Sequence, residues 1–417
     1  MFYSFLRIIL HFALRVFYGK IEVKGKELIP TKGPLLIASN HPNGFVEPLI
    51  IALVLGRPVH FMVRGDVFSK KWLRPILVNS NQIPIYRFRD GFSELKKNTA
   101  SMKAVYNALD NDAAIIIFVE GGTESVKTLR PFKKGIARMS SEYLEKYDNP
   151  NELQILPVGI NFISPARWRS RVMLNIAKPI VTKSYFSDQE SSNTSIRKIM
   201  KDLYQIIKPL VFDVKKENRQ DILNHTLELA EGTLNFPILP IIDTKTSNWK
   251  LMKSISETID EMDDIQFIAF AKDIRSIRKN RTSGLRLKQQ KFYSLLFGVI
   301  LIVPAILGFI CNFIPVFLAH FTANKVLDED SLEFVASIKI STGIGYFLIY
   351  YLLLSCVAIY FTGIYGSLVL LAIPLGFIFI FWWTYIKTIL FKNRFILNNS
   401  EKTLLNDTFA KYRFNIN

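Results

Sequence analysis

The sequence predicts an α/β domain, followed by a helical basic segment and then by helices that span a membrane. Three observations carry this reading. Short apolar runs alternate with helical patterns from residue 20 to about 180, the signature of strands interleaved with helices. Residues 292–320 and 343–386 contain no formally charged side chain. The chain is also basic and apolar at once: 53 Lys and Arg against 35 Asp and Glu, a formal charge of +18, and 49% hydrophobic residues. Nucleic-acid-binding proteins share such a charge but seldom that apolar fraction, so an anionic membrane surface is the expected partner and nucleic acid is not.

The first element, residues 1–19, reads as an amphipathic membrane anchor. Residues 2–18 are apolar except for Ser4, Arg7, His11 and Arg15, which recur at helical spacing and suit a helix lying in a membrane interface. A signal peptide is the alternative, but the charges sit inside the apolar stretch and no small-residue cleavage site follows. Residues 20–182 form the α/β domain. Strands are expected at 20–24, 34–38, 59–63, 82–86, 114–119, 154–160 and 171–176, and helices at 46–55, 67–78, 93–109 and 133–147.

Residues 183–291 are polar and helix-like, with Ser187–Ser195 the most linker-like part. They end in a basic cluster of Lys272, Arg275, Arg278, Lys279, Arg281, Arg286, Lys288 and Lys291. Its place just before an apolar run favours a cytoplasmic, lipid-facing position over a merely solvated helix face. Residues 292–417 read as a membrane domain with apolar segments 292–320, 343–361 and 366–386, each near or above the roughly 20 residues one crossing needs. The first holds Pro304 and Pro315 and could be one kinked span or a re-entrant hairpin. Six Lys and Arg follow Ile386, whereas residues 321–342 hold only Lys325 and Lys339. Because these residues favour the cytoplasmic side, an even number of crossings with the tail inside is expected, although Asp328, Glu329, Asp330 and Glu333 make the intervening loop acidic. Cys311 and Cys356 both lie in apolar runs, offer neither metal-ligand spacing nor a disulfide framework, and imply a reducing compartment.

The chemistry-bearing candidates fall at strand ends. Ser39-Asn40-His41-Pro42-Asn43-Gly44-Phe45-Val46-Glu47 joins an apolar strand to an apolar helix, and sites are commonly built at such turns. Histidine is the residue type whose unperturbed charge change lies nearest neutrality, and Glu47 could orient the ring of His41, the usual pairing for taking a proton from a hydroxyl. Ile83–Arg87 is a strand ending in Arg87. Ile117–Ser125 runs into Glu120, Gly121, Gly122 and Thr123, where glycines would let backbone N–H groups approach an anion. Arg130, Lys133 and Lys134 lie just beyond and could add positive charge. Leu156–Ile160 is a fourth strand end. Taken singly, each also fits an ordinary turn, a surface ion pair or a helix cap.

Taken in order, the four segments resemble the blocks of the glycerolipid acyltransferase superfamily: Asn40-His41 with Glu47, Ile83–Arg87, Phe118–Thr123 and Leu156–Ile160. The run Arg171–Ile180 is similar to that family's closing strand. Five residues between His41 and the acid, together with the Gly121-Gly122 pair, resemble the fungal-type glycerol-3-phosphate/dihydroxyacetone-phosphate acyltransferases and their bacterial relatives. Phe334–Ile340 resembles a segment of the same group. The family's Asp is Glu47 here, and its Pro before Glu-Gly is Val119.

The resemblance implies a mixed sheet flanked by helices and a cytoplasmic-face catalytic domain on an integral membrane protein. It implies acyl transfer from acyl-CoA or acyl carrier protein to a hydroxyl of glycerol 3-phosphate or a lysophosphatidic-acid-like acceptor, in phospholipid synthesis. His41 would be the base and Glu47 its partner. Arg87, Glu120, Gly121, Gly122, Thr123, Arg130, Lys133 and Lys134 would bind substrate, with no metal and no cofactor beyond the thioester co-substrate. An acyltransferase for another lysolipid, or a catalytically inactive lipid-binding protein on the same fold, would leave the same pattern.

Overall fold

In a computed structural model of the chain, the residues described are 2–86, 91, 93, 96–147, 152–186, 191–234, 241–245, 247–280, 296, 298–326, 334–390, 397 and 399–414. Arg87, Arg281, Arg286, Lys288, Lys291 and the acidic residues 328–330 and 333 lie outside them.

The strands are β1 (Lys20–Lys24), β2 (Leu35–Ser39), β3 (Val59–Arg64), β4 (Gln82–Ile85), β5 (Ala114–Phe118), β6 (Gln154–Phe162), β7 (Arg171–Ile176), β8 (Ile180–Val181) and β9 (Ile241–Asp243). They form one sheet in the order β4-β3-β5-β2-β6-β7-β1-β9, with β8 beside β6. Neighbours are parallel except where β6 meets β7 and β8, so the sheet is mixed. Every expected strand forms within a residue or two of its predicted bounds. The edge strand β9, inside the segment read as helical, was not expected.

The central strand β2 shows why the domain folds this way. All of Leu35, Leu36, Ile37, Ala38 and Ser39 are fully buried. Side chains alternate across a strand, so Leu35 and Ile37 join one core while Leu36 and Ala38 join another. A parallel strand covered on both faces must read as a continuous apolar run. The first core is completed by α1 (Phe2–Phe17) and α2 (Val46–Leu55), and the second by α4 (Asn98–Asp110), α5 (Gly135–Lys146) and α6 (Ser192–Ile207). The expected helix at 67–78 is instead a 3-10 turn at Gly65–Ser69 followed by α3 (Arg74–Asn79). Pro75 accounts for the break: without an N–H it is favoured in the first turn of a helix, where it sits here, and costly in the interior of a longer one.

Behind the sheet, α7 (Gln220–Glu231), α8 (Trp249–Glu261) and α9 (Asp264–Asn280) form a third core around Ile222, Trp249, Met252 and Phe270, which Ile163 and Met173 of the α/β domain also enter. The C-terminal helix, here called α13 (Asn399–Lys411), belongs to this core through Leu405 and Phe409. Its sequence places it after the apolar segments, yet its i,i+4 apolar pair is buried with α9. Lys411 and Tyr412 both bond the Asp273 carboxylate, at 2.8 and 2.9 Å.

The apolar segments form α10 (Ile302–Val326), α11 (Val335–Thr362) and α12 (Ala372–Leu390), with a 3-10 stretch at Gly363–Leu371. Ile302–Val326 is a single helix that contains Pro315. It and the helical stretch Val335–Ile386 are each long and apolar enough to cross a membrane. Large side chains such as Phe313, Leu352 and Phe361 stand exposed, as a lipid-facing surface would require. The three helices meet at Asn312, whose amide donates to the Ala372 carbonyl at 3.0 Å and accepts from Tyr351 at 2.7 Å.

A buried ionic knot joins the sheet to the helical core. Arg171 on β7 pairs with Glu22 on β1, both 1% exposed, and Glu22 also accepts from the backbone and side chain of Asn248. Removing one partner of such a pair strands the other's charge in a low-dielectric interior. Glu22→Ala is therefore expected to cost about 3–5 kcal/mol, read as a lower denaturant midpoint in detergent.

Candidate active site

The register of the sheet assembles the site. Ser39 at the end of β2 pairs with Phe118 of β5 on one side and Val158 of β6 on the other. The segments leaving β2 and β5 therefore emerge side by side. Asn40 fastens this edge to β6: its amide donates to the Ile160 carbonyl and its oxygen accepts the Ile160 N–H, both at 2.9 Å. Next along, the His41 ring stacks on Phe118, with centroids 3.8 Å apart and planes 9° off parallel.

His41 and Glu47 meet. Nδ1 of His41 lies 3.3 Å from Glu47 Oε1, and the same oxygen accepts the Asn43 N–H. Glu47 is fully buried on the first turn of α2. Phe45 adopts φ 68°, ψ −34°, a strained conformation for a non-glycine residue, just before the helix starts. Burial pushes the Glu47 carboxyl above its ordinary range, while the neighbouring His41 pulls it partly back. Tyr18, which accepts a bond from the Asn43 side chain at 3.4 Å, is itself pushed well up by burial and by the Glu47 charge.

Glu120 and Arg130 form the second part of the site. The Glu120 carboxylate accepts the backbone N–H of His41 at 3.0 Å, the backbone N–H of Arg130 at 3.0 Å, and the Arg130 guanidinium at 2.7 Å. That guanidinium also donates to the Gly122 carbonyl and lies 3.5 Å from Glu124. Glu120 thus holds the His41 backbone. Gly121 has φ 73°, and a Cβ there would sit 2.8 Å from the Lys133 side chain, so the turn demands glycine. Thr123 faces Gly44, while Gly121, Gly122, Lys133 and Lys134 are exposed at the rim. Among the predicted site residues, His41, Glu47, Glu120, Gly121, Gly122, Thr123 and Arg130 come together. Lys133 and Lys134 border the group.

Comparison with known proteins bears on the same segment. Residues 20–161 match the family model described as Acyltransferase. The matched stretch runs from β1 into β6 of the α/β domain. An uncharacterized acyltransferase of Schizosaccharomyces pombe is 25% identical over 41% of this chain and 38% of its own length. Glycerol-3-phosphate O-acyltransferase 1 of Saccharomyces cerevisiae is 31% identical over 25% of this chain and 13% of its own. The 1-acyl-sn-glycerol-3-phosphate acyltransferase of Bacillus subtilis is 25% identical over 28% of this chain and 54% of its own. The chain thus matches less than two thirds of each of these relatives.

Several residues around the site carry no local signal in the sequence. Asn40 was read only as part of a motif, yet it ties β2 to β6. Phe118 supports the imidazole. Tyr18 and Asn43 line the Glu47 pocket, and no local pattern marks them. Ser337, 293 positions from Gly44, donates its hydroxyl to the Gly44 carbonyl.

The raised Glu47 carboxyl makes a stability prediction with a definite sign. The folded protein holds this proton more tightly than the unfolded chain, so the stabilisation is complete below the ordinary carboxyl range and is lost as pH rises through the folded value. Glu47→Gln cannot titrate. Its melting temperature should therefore gain on that of the wild type between about pH 4.5 and neutrality, as measured by scanning fluorimetry in detergent.

Proposed function

We propose that this protein transfers a fatty acyl group from a thioester, acyl-CoA or acyl carrier protein, to a hydroxyl of glycerol 3-phosphate or of its monoacyl derivative at a membrane surface. The observation that carries the reading is the His41 Nδ1 to Glu47 Oε1 contact of 3.3 Å at the edge where β2 and β5 end. With Nδ1 engaged by a buried carboxylate, Nε2 is the nitrogen left to act as base. It takes the acceptor's hydroxyl proton as that oxygen attacks the thioester carbonyl. The tetrahedral intermediate collapses, the C–S bond breaks, and the imidazolium returns the proton to the departing thiolate. Glu47 stabilises the imidazolium between those steps.

Glu120 and Arg130 act in this scheme as the frame that fixes His41, because their hydrogen bonds are made to each other and to the turn. Lys133 and Lys134 are exposed beside the Gly121 turn and are suited to the acceptor phosphate or the donor's anionic end. Arg87 takes the phosphate role only by resemblance, since it lies outside the described residues. The Saccharomyces and Bacillus relatives bear names with different acceptors, which is why both acceptors stand in the proposal.

The apolar helices and the net charge of +18 favour integral membrane attachment, with the basic face toward anionic lipid. Both ends of the apolar region return to one body: α9 precedes it, α13 follows it, and the two pack together. That supports an even number of crossings with the catalytic domain and the tail on the same side, and the Lys and Arg of the tail favour the cytoplasm.

The test is transfer by the full chain in lipid nanodiscs, with labelled acyl-CoA and a panel of glycerol 3-phosphate, lysophosphatidic acid and other lysolipids. Turnover is expected with at least one phosphorylated glycerol. Its absence with every acceptor would leave a lipid-binding protein. His41→Ala should lower the rate by about 10²–10⁴-fold while the protein remains folded. Glu47→Asp should retain more activity than Glu47→Gln, because the role needs a charge, and equal rates for the two would remove Glu47 from the mechanism.

A further inference from the structure

The catalytic turn is touched by a part of the chain that is far away in sequence and belongs to an apolar helix. Phe334 precedes α11, and Ser337 lies on its first turn. Ser337 is buried and donates its hydroxyl to the Gly44 carbonyl. That same carbonyl accepts the Val46 N–H at 2.9 Å, closing a tight turn over Phe45 where α2 starts, one residue before Glu47. The Phe334 ring covers Gly44 so closely that a Cβ on that glycine would lie 2.7 Å from the ring, with Thr123 at 3.3 Å on another side. Ala336 and Ile340 continue the contact into the core shared by α1, α2 and β2.

Between Gly44 and Glu47 stands Phe45, whose strained backbone (φ 68°) survives only if its surroundings hold it. From these contacts we infer that Ser337 and Phe334 are positioning residues for the catalytic pair: the foot of α11 clamps the Gly44–Phe45 turn and so sets where Glu47 meets His41. Ser337 touches neither member of the pair. It acts through one carbonyl, the Gly44 oxygen that also closes the turn over Phe45. Because the clamp is the first turn of a membrane-type helix, the placement of that helix and the geometry of the base are mechanically joined.

Ser337→Ala in the full chain, reconstituted in lipid nanodiscs, tests this with two readouts. The first rests on the acyl-transfer reading: kcat should fall about tenfold, with KM for donor and acceptor nearly unchanged, because a misplaced base impairs the chemical step more than binding. The second does not rest on it: amide hydrogen exchange across residues 43–47 should speed up about tenfold as the turn opens more often. Ser337→Thr, which keeps the hydroxyl, should restore both. Unchanged exchange, an unchanged kcat in an active protein, or a loss carried by KM would overturn the inference. A wild-type chain that shows Ser337-dependent exchange but no turnover with any acceptor would sink the acyl-transfer reading and leave the clamp standing. If Ser337→Ala does not fold, Phe334→Ala removes only a ring that is 39% exposed and carries the same two expectations.

Discussion

A carboxylate with no solvent exposure organises this domain. Burying the Glu47 charge is costly unless hydrogen bonds and an opposite charge replace the water it loses. The turn from Asn40 to Val46 supplies both: the Asn43 N–H and the His41 ring converge on one carboxylate oxygen. The other oxygen has no hydrogen-bond partner among the described residues, so the compensation is incomplete and the carboxyl stays displaced upward. The same incompleteness gives the acid a strong demand for a cationic neighbour. An imidazolium formed at His41 satisfies it, and a neutral ring satisfies it only in part. The buried acid and the basic ring are two halves of one electrostatic arrangement.

Such an arrangement works only if its parts cannot drift, and the fold restrains them from several directions. Asn40 bonds both backbone groups of Ile160, Phe118 lies flat under the imidazole, and Glu120 takes the His41 N–H. Each restraint comes from a different strand or loop at one edge of the sheet. Holding a reacting group by packed neighbours on rigid elements is what keeps its geometry productive. The strained Phe45 fits this picture, because local strain persists where surrounding structure over-determines it. Glu120 illustrates the division of labour: its position in the sequence suggests a contact with substrate, and its oxygens also tie the loop after β5 to the turn after β2.

Much of this was legible in the sequence, for identifiable reasons. β2, β5 and β6 are buried on both faces, so their apolar runs are long and unbroken, and they end at polar turns that mark the site. The meeting of His41 and Glu47 followed from a strand stopping just before a helix. What was hidden depends on contacts between distant segments. Nothing near Ser337 announces that it reaches Gly44, and nothing near Tyr18 announces the Glu47 pocket. The edge strand β9 has only three residues, too few for a periodic signal. The tail helix α13 carries a weak amphipathic pattern after an apolar region and reads as a cytoplasmic appendage until its Leu405 and Phe409 are seen inside the α7–α9 core.

That docking changes how the apolar region is understood. A free tail would leave crossing number to loop charges alone, and those give mixed signals because the segment between α10 and α11 has no Lys or Arg yet is acidic. A tail packed on α9 means that the chain returns to the body it left, and the foot of α11 meets that body as well, at Gly44. The foot of α11 therefore touches the turn itself, while the helices on either side of the apolar region pack on each other. An acyl chain favours the bilayer by roughly 0.8 kcal/mol per buried methylene, so under the acyl-transfer proposal a base joined through Gly44 to the foot of an apolar helix would sit where acyl substrates concentrate.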